Sequence, residues 1–212
     1  ITGLVYPDVG ATAAYTDGEI MIAFDTVPNI LDQTGEIYIH NYETGATVDT
    51  IYLSNDKSFF ESRKVELSEG SQRVRIDGNK LYITPHFANL NYDTKYYVAM
   101  ANGIIEGTLK GKPFTGFSPQ DKTWHFTTKA APVITGSTIS VNGSPESTAD
   151  FRTIQAALTY AKTNDFDNVE IQIEPGIYRE LLSYFHDRYI TLRGMGTEEY
   201  GQDVVIEYKN GD

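Results

Sequence analysis

Few side chains in this sequence have the type and spacing to do chemistry, and each has a plainer use. Asp165 and Asp167 in "DFD" set two carboxylates close together, as general acid–base work requires. Asn164 and Asn168 flank them, however, and Asp and Asn together favour a solvated turn held by side chain to backbone hydrogen bonds. Glu180 in "GIYRE" is an isolated carboxylate with no partner group nearby in sequence, so a structural use is expected. "GMG" at 194–196 lacks the third glycine of a dinucleotide loop, and no helical pattern follows it, which makes it a corner between strands. His40, His86, His125 and His186 are far apart in sequence and show none of the short spacings of a metal site. No catalytic, cofactor-binding or metal-binding residue is therefore assigned to the chain.

A tyrosine-rich stacking platform for sugars is a further candidate, drawing on Tyr6, Tyr15, Tyr38, Tyr42, Tyr52, Tyr82, Tyr92, Tyr96 and Tyr97. Most of these fall in or beside strand patterns, where tyrosine also packs and covers sheets, so packing is the expected use. "NGS" at 142–144 has the form of a glycosylation acceptor, a three-residue pattern that by itself marks no site.

The elements that would position such groups are mostly strands. In residues 1–129, "EIMIAF" places Ile20, Ile22 and Phe24 on one face, and "GEIYIH" does the same with Ile37 and Ile39. "TVDTIYL", "RVRI", "KLYITP", "TKYYVAM" and "TWHFTT" repeat the pattern, with "TDG", "ETG" and "DGN" as turn signals between runs. About seven short strands of this kind predict an immunoglobulin-like β-sandwich without the Cys–Trp–Cys core of antibody domains. "TKAAPVITGS" then reads as a linker of small residues.

Beyond it the period changes. With Thr153 as N-cap, Ile154, Ala157, Leu158 and Ala161 form a single helical stripe. Asp150 is a competing cap, and Phe151 is expected to fold back on the first turn. "VEIQIEPGIY", "YITLRG" and "VVIEY" follow as strands separated by glycine-bearing turns, a coarse solenoid-like spacing. The expected organisation is an Ig-like domain at 1–130, a linker at 131–137, and a second domain at 138–212.

The totals set outer limits. At 212 residues the chain can hold one large domain or two modest ones. Its net charge of −12 disfavours non-specific binding to nucleic acid or anionic membranes. Without cysteine there are no disulfides and no thiolate chemistry, although that does not fix the compartment. No apolar run approaches the length of a membrane span.

The run "DFRTIQAALTYA", "VEIQIEPGIYRELL", "YITLRGMGTEE", "VVIEY" resembles the opening of pectin methylesterases, carbohydrate esterases built on a right-handed parallel β-helix. The matching positions are Asp150, Phe151, Thr153, Ile154, Gln155, Ala156 and Leu158, then Gly176, Tyr178 and Glu180, then Thr191, Leu192, Gly194 and Gly196. Three blocks in order make the likeness moderately specific, while each block alone also suits other β-helix polysaccharide enzymes. The earlier part is similar to the Ig-like modules of bacterial secreted and surface proteins, through Asp17 to Asp25 and Tyr97 to Thr128, including Trp124 and Phe126.

The resemblance implies hydrolysis of galacturonate methyl esters in pectin without a metal or cofactor. An Asp nucleophile, a second Asp as acid/base, oxyanion-holding Gln side chains and an orienting Arg would do it. It places those residues in later strings such as G-Y-Q-D-T, D-F-I-F-G and G-R-P-W, none of which occurs here. The chain is thus expected to be the N-terminal part of an exported bacterial enzyme (secreted, periplasmic or cell-surface), inactive by itself, with its catalytic residues beyond residue 212. A pectate lyase or polygalacturonase, or a non-catalytic Ig-like binding or spacer module, is the alternative. The partner implied is pectin or a related plant cell-wall polysaccharide, reached through the full-length protein. Residues 131–212 carry 13 acidic and 6 basic side chains, a balance suited to a neutral ester rather than to polyanionic pectate. The last strand would leave an open edge, a place for self-association.

Overall fold

A computed structural model of the chain describes residues 1–54, 73–199 and 202–208. The fold is mainly β, with one helix among the described residues, and it divides into two compact units at Ala130/Ala131.

In the first unit every alternating run named above forms a strand. These are β2 (Ile20–Ala23), β4 (Glu36–Asn41), β5 (Thr47–Tyr52), β6 (Val74–Asp77), β7 (Lys80–Ile83), β8 (Lys95–Met100) and β12 (Trp124–Thr127). With β1 (Val5–Tyr6) they build two four-stranded antiparallel sheets, ordered β1-β2-β7-β6 and β12-β8-β4-β5. Ile22, Leu81 and Ile83 from the first sheet share one core with Ile37, Ile39, Val98, Trp124 and Phe126 from the second. The remaining strands are pairs of two residues each, β3 (Asn29–Ile30) with β9 (Ile105–Glu106) and β10 (Thr108–Leu109) with β11 (Lys112–Pro113). A two-residue strand is too short to alternate, so nothing in the pattern announced them.

Two polar ties fasten loops onto this core. The indole N–H of Trp124, wholly buried, donates to the Pro7 carbonyl at 2.9 Å, so burial of the largest side chain leaves no polar atom unpaired. Asp25 accepts from the amides of Lys110 (3.0 Å) and Gly111 (2.7 Å), which closes the β10–β11 turn.

The second unit contains β13 (Thr138–Val141), α1 (Ile154–Thr163), β14 (Val169–Ile173), β15 (Gly176–Arg179), β16 (Ile190–Gly194) and β17 (Val204–Glu207). All of its strand pairings are parallel: a sheet ordered β13-β14-β16 and a separate pair β15-β17. "VVIEY" stacks on "GIYR" and not on "YITLRG", and "TISV" adds a strand in front of the helix that the sequence reading did not name. Alternation reports which residues face inward, whereas the neighbour a strand selects depends on where the chain turns. The turn at Pro175-Gly176 starts a second strand that continues in another sheet.

The helix forms as its pattern predicts. Thr153 is the N-cap, its hydroxyl accepting from the Ala156 amide at 3.3 Å, and Ile154, Ala157, Leu158 and Ala161 are buried. The Phe151 backbone lies beside β13, its amide donating to Ser140 O (3.1 Å) and its carbonyl accepting from Asn142 N (3.0 Å), while its side chain is buried in one core cluster with Ile154, Ala157 and Leu158. That closes one edge of the three-stranded sheet. Asp150 does not cap the helix; its carboxylate accepts from the amide (2.8 Å) and hydroxyl (2.7 Å) of Ser140. The stretch expected as a linker is bonded into this unit: Tyr160 Oη donates to Pro132 O at 3.0 Å, and Ser137 O accepts from Glu170 N at 2.8 Å. Residues 200–201 and 209–212 of the expected second domain lie outside the described residues.

Candidate functional site

The positions matched to the esterase opening serve the scaffold. Glu180 receives the first two amides of α1, Ile154 N at 2.9 Å and Gln155 N at 2.8 Å. A carboxylate there satisfies orphan donors and faces the positive end of the helix dipole. Gln155 completes the latch: its amide donates to Ser183 O (3.0 Å) and accepts from Ser183 N (2.7 Å). Tyr178 is buried, its hydroxyl donating to Glu174 O at 2.8 Å. At Gly196 an added Cβ would sit 1.7 Å from Asp203 Oδ1, so a larger residue would require the Asp203 side chain to move. Glu180→Ala is expected to lower the stability of the second unit by about 1–3 kcal/mol, read as an earlier loss of helical ellipticity. Glu180→Gln should restore part of the loss.

"DFD" is a turn and not an acid–base pair. Asp165 and Asn168 adopt positive φ (53° and 56°), a conformation Asp and Asn tolerate better than most residues. The Arg188 guanidinium forms a two-pronged pair with Asp165 at 3.0 and 3.1 Å and holds its carboxyl below the usual range. Asp167 accepts from Tyr189 N at 3.3 Å. "NGS" also forms a turn, with Asn142 Oδ1 accepting from Ser144 N at 2.9 Å.

An arrangement with the shape of a binding site lies in the first unit, on the outward face of β4, β5 and β8. Register creates it. His40 on β4 is paired with Thr47 on β5 and Tyr97 on β8, and Tyr97 is paired in turn with His125 on β12. The histidines expected to be unrelated thus include two that flank one tyrosine. Tyr38, His40 and Tyr97 stack in sequence, with centroids 5.8 and 4.8 Å apart and planes within 26° and 25°. At the far end Tyr42 meets Tyr97 edge-on at 6.1 Å, while the ammonium groups of Lys95 and Lys122 sit 3.7 and 4.4 Å from its ring centre.

At the near end Tyr38 is opposite Ala99, and the small partner leaves a gap. Residues 115–120 wall it, carried to the sheet by hydrogen bonds between Met100 and Phe117 (3.0 and 2.8 Å). The result is an open groove of about 600 Å³, lined by Tyr38, His40, Thr47, Ala99, Asn102, Ser118 and Gln120 among others. Among the described residues no Asp, Glu, Lys or Arg lines it. The Tyr38 hydroxyl donates to the Glu36 carboxylate, and that bond, with burial, pushes the phenol up. Burial lowers the His40 imidazole despite an opposing bond to Gly45, so the ring is neutral at pH 7. Ser118 Oγ donates to Gln120 Oε1 at 2.8 Å. Alternation on β4 could have put Tyr38, His40 and Tyr42 on one face from sequence, but the cross-strand partners that make a groove could not be read.

Among the described residues no three His, Asp or Glu side chains gather as a metal site, and no helix is long and apolar enough to cross a membrane. No family model, no curated protein and no solved structure matches the chain.

Proposed function

We propose that residues 138–212 are the capped opening of a right-handed parallel β-helix of the pectin methylesterase kind, and that residues 1–130 are an Ig-like module attached to it. The observation that carries this reading is the parallel stacking of β13, β14 and β16 beside β15 and β17. One edge is closed by Phe151 and α1, while on the other side β16 has no further strand among the described residues. A solenoid that grows by adding turns needs such a closed end and such an open one. Leu192 on β16 and Ile206 on β17 are 43% and 44% exposed, apolar residues suited to cover by another turn of chain. The Glu180 and Gln155 latch supplies a physical reason for the motif residues that the resemblance rests on.

The full protein, on this reading, is an exported bacterial esterase that hydrolyses methyl-esterified galacturonan to methanol and a free carboxylate. This chain holds scaffold and not the reacting groups. The Ig-like assignment of the first unit draws on two four-stranded antiparallel sheets around one core centred on Trp124. Incubation of the 212-residue chain with highly methylated pectin should release no methanol beyond a heat-inactivated control. Methanol release that scales with protein concentration would overturn the assignment of the catalytic groups to another part of the protein.

A further inference from the structure

We propose that the outward groove of the first unit is a saccharide-binding site that takes an uncharged pyranose chain, with one sugar ring laid against Tyr38. The inference goes beyond the esterase reading, because it concerns a different unit and needs no catalysis.

Four observations define the occupant. The groove offers a partly exposed aromatic ring beside an alanine floor, Tyr38 over Ala99, which matches the flat C–H face of a pyranose. Around it stand Thr47, Asn102, Ser118 and Gln120, hydroxyls and amides that donate and accept as sugar hydroxyls do. Among the described residues no ionic side chain lines the groove, so these residues offer a carboxylated or phosphorylated ligand no counter-charge. The first 130 residues carry 16 acidic and 11 basic side chains, which adds long-range repulsion against a polyanion. At about 600 Å³ the groove falls in the size range of small-molecule sites and is open at its surface, as a polymer passing through requires.

The stack beneath explains why the ring is fit for this use. Tyr38 rests on His40 and His40 on Tyr97, while Lys95 and Lys122 pin Tyr42 at the far end. Tyr38 is also held at its hydroxyl by Glu36. A ring fixed on two sides gives up little freedom when a ligand covers it, and preorganisation of this kind strengthens binding.

The test is calorimetric titration of the whole chain with three probes. They are highly methyl-esterified galacturonan, the same polymer after alkaline de-esterification, and a neutral galactan. Saturable binding of at least one neutral polymer is expected, with weaker binding of the de-esterified one. Tyr38→Ala should weaken binding about tenfold, whereas Tyr38→Phe, which keeps the ring, should stay within about twofold. Tyr189→Ala, at an exposed tyrosine of the second unit, is the control and should leave affinity unchanged. Retention of the Trp124 emission spectrum shows that each variant is folded. Absence of binding to every neutral probe, preference for the polyanion, or full affinity in folded Tyr38→Ala would each overturn the site. None of these outcomes bears on whether the second unit belongs to an esterase.

Discussion

Phe151→Ala is expected to destabilise the second unit by about 3–5 kcal/mol and to leave the first unit untouched. Phe151 is 2% exposed and packs with Ile154, Ala157 and Leu158 over β13 and β14, its ring 5.3 Å from that of Tyr160. Truncation would leave a cavity at the closed end of the parallel sheet, where the backbone bonds to Ser140 and Asn142 cannot collapse to fill it. The two units can be followed separately. The single tryptophan, Trp124, lies in the core of the first unit, and the one described helix lies in the second. In urea, the variant should lose helical ellipticity at lower concentration than the parent while the tryptophan transition keeps its midpoint. A shift of both transitions together would mean that the two units unfold as one.

Asp49→Ala should do the converse, lowering the stability of the first unit by about 2–4 kcal/mol with a shifted tryptophan transition. Asp49 is 3% exposed on β5, and its carboxylate accepts from His86 N (2.8 Å), His86 Nδ1 (2.7 Å) and Asn89 Nδ2 (2.9 Å). An ionised carboxylate can only accept, so Nδ1 of His86 carries the proton in this pair. Removing the acceptor leaves three donors without it. Burial pushes the Asp49 carboxyl up, but hydrogen bonds from the His86 ring and amide and from Asn89, with the His86 charge, outweigh it and hold the group below its ordinary value. The sign of the pH dependence follows. With the native pKa below the unfolded value of about 3.9, this stabilisation is present above that value and is lost as pH falls through the native pKa. Between pH 5 and about pH 2–3 the parent should therefore lose more stability than Asp49→Asn, which does not titrate.

How far the sequence revealed this architecture depends on the physical scale of each feature. The helix was legible because Ile154, Ala157, Leu158 and Ala161 recur at its own period and Thr153 has the chemistry of a cap. The seven longer strands of the first unit were legible because residues such as Ile37 and Ile39 alternate with polar neighbours over several positions. β15 was hidden, since "GIYR" begins at the glycine of a Pro–Gly pair and contains one inward residue, Tyr178. The division of the second unit into two parallel sheets was hidden as well, because a strand's faces are written in its own residues and its partner is not. The groove failed to appear for the same reason: Tyr38, Ala99 and Gln120 come together only through register and a crossing segment. Glu180 was read as structural from its isolation, but its destination at the start of α1, 25 and 26 residues earlier in the chain, was out of reach of local pattern.

We propose that the second unit begins a pectin methylesterase-type β-helix whose reacting groups belong to later turns. The most direct measurement is the nucleotide sequence of the gene downstream of the codon for Asp212. The account predicts an open frame that continues into further alternating strands bearing G-Y-Q-D-T, D-F-I-F-G and G-R-P-W strings. A frame that continues without them, or one that closes at once, would contradict it.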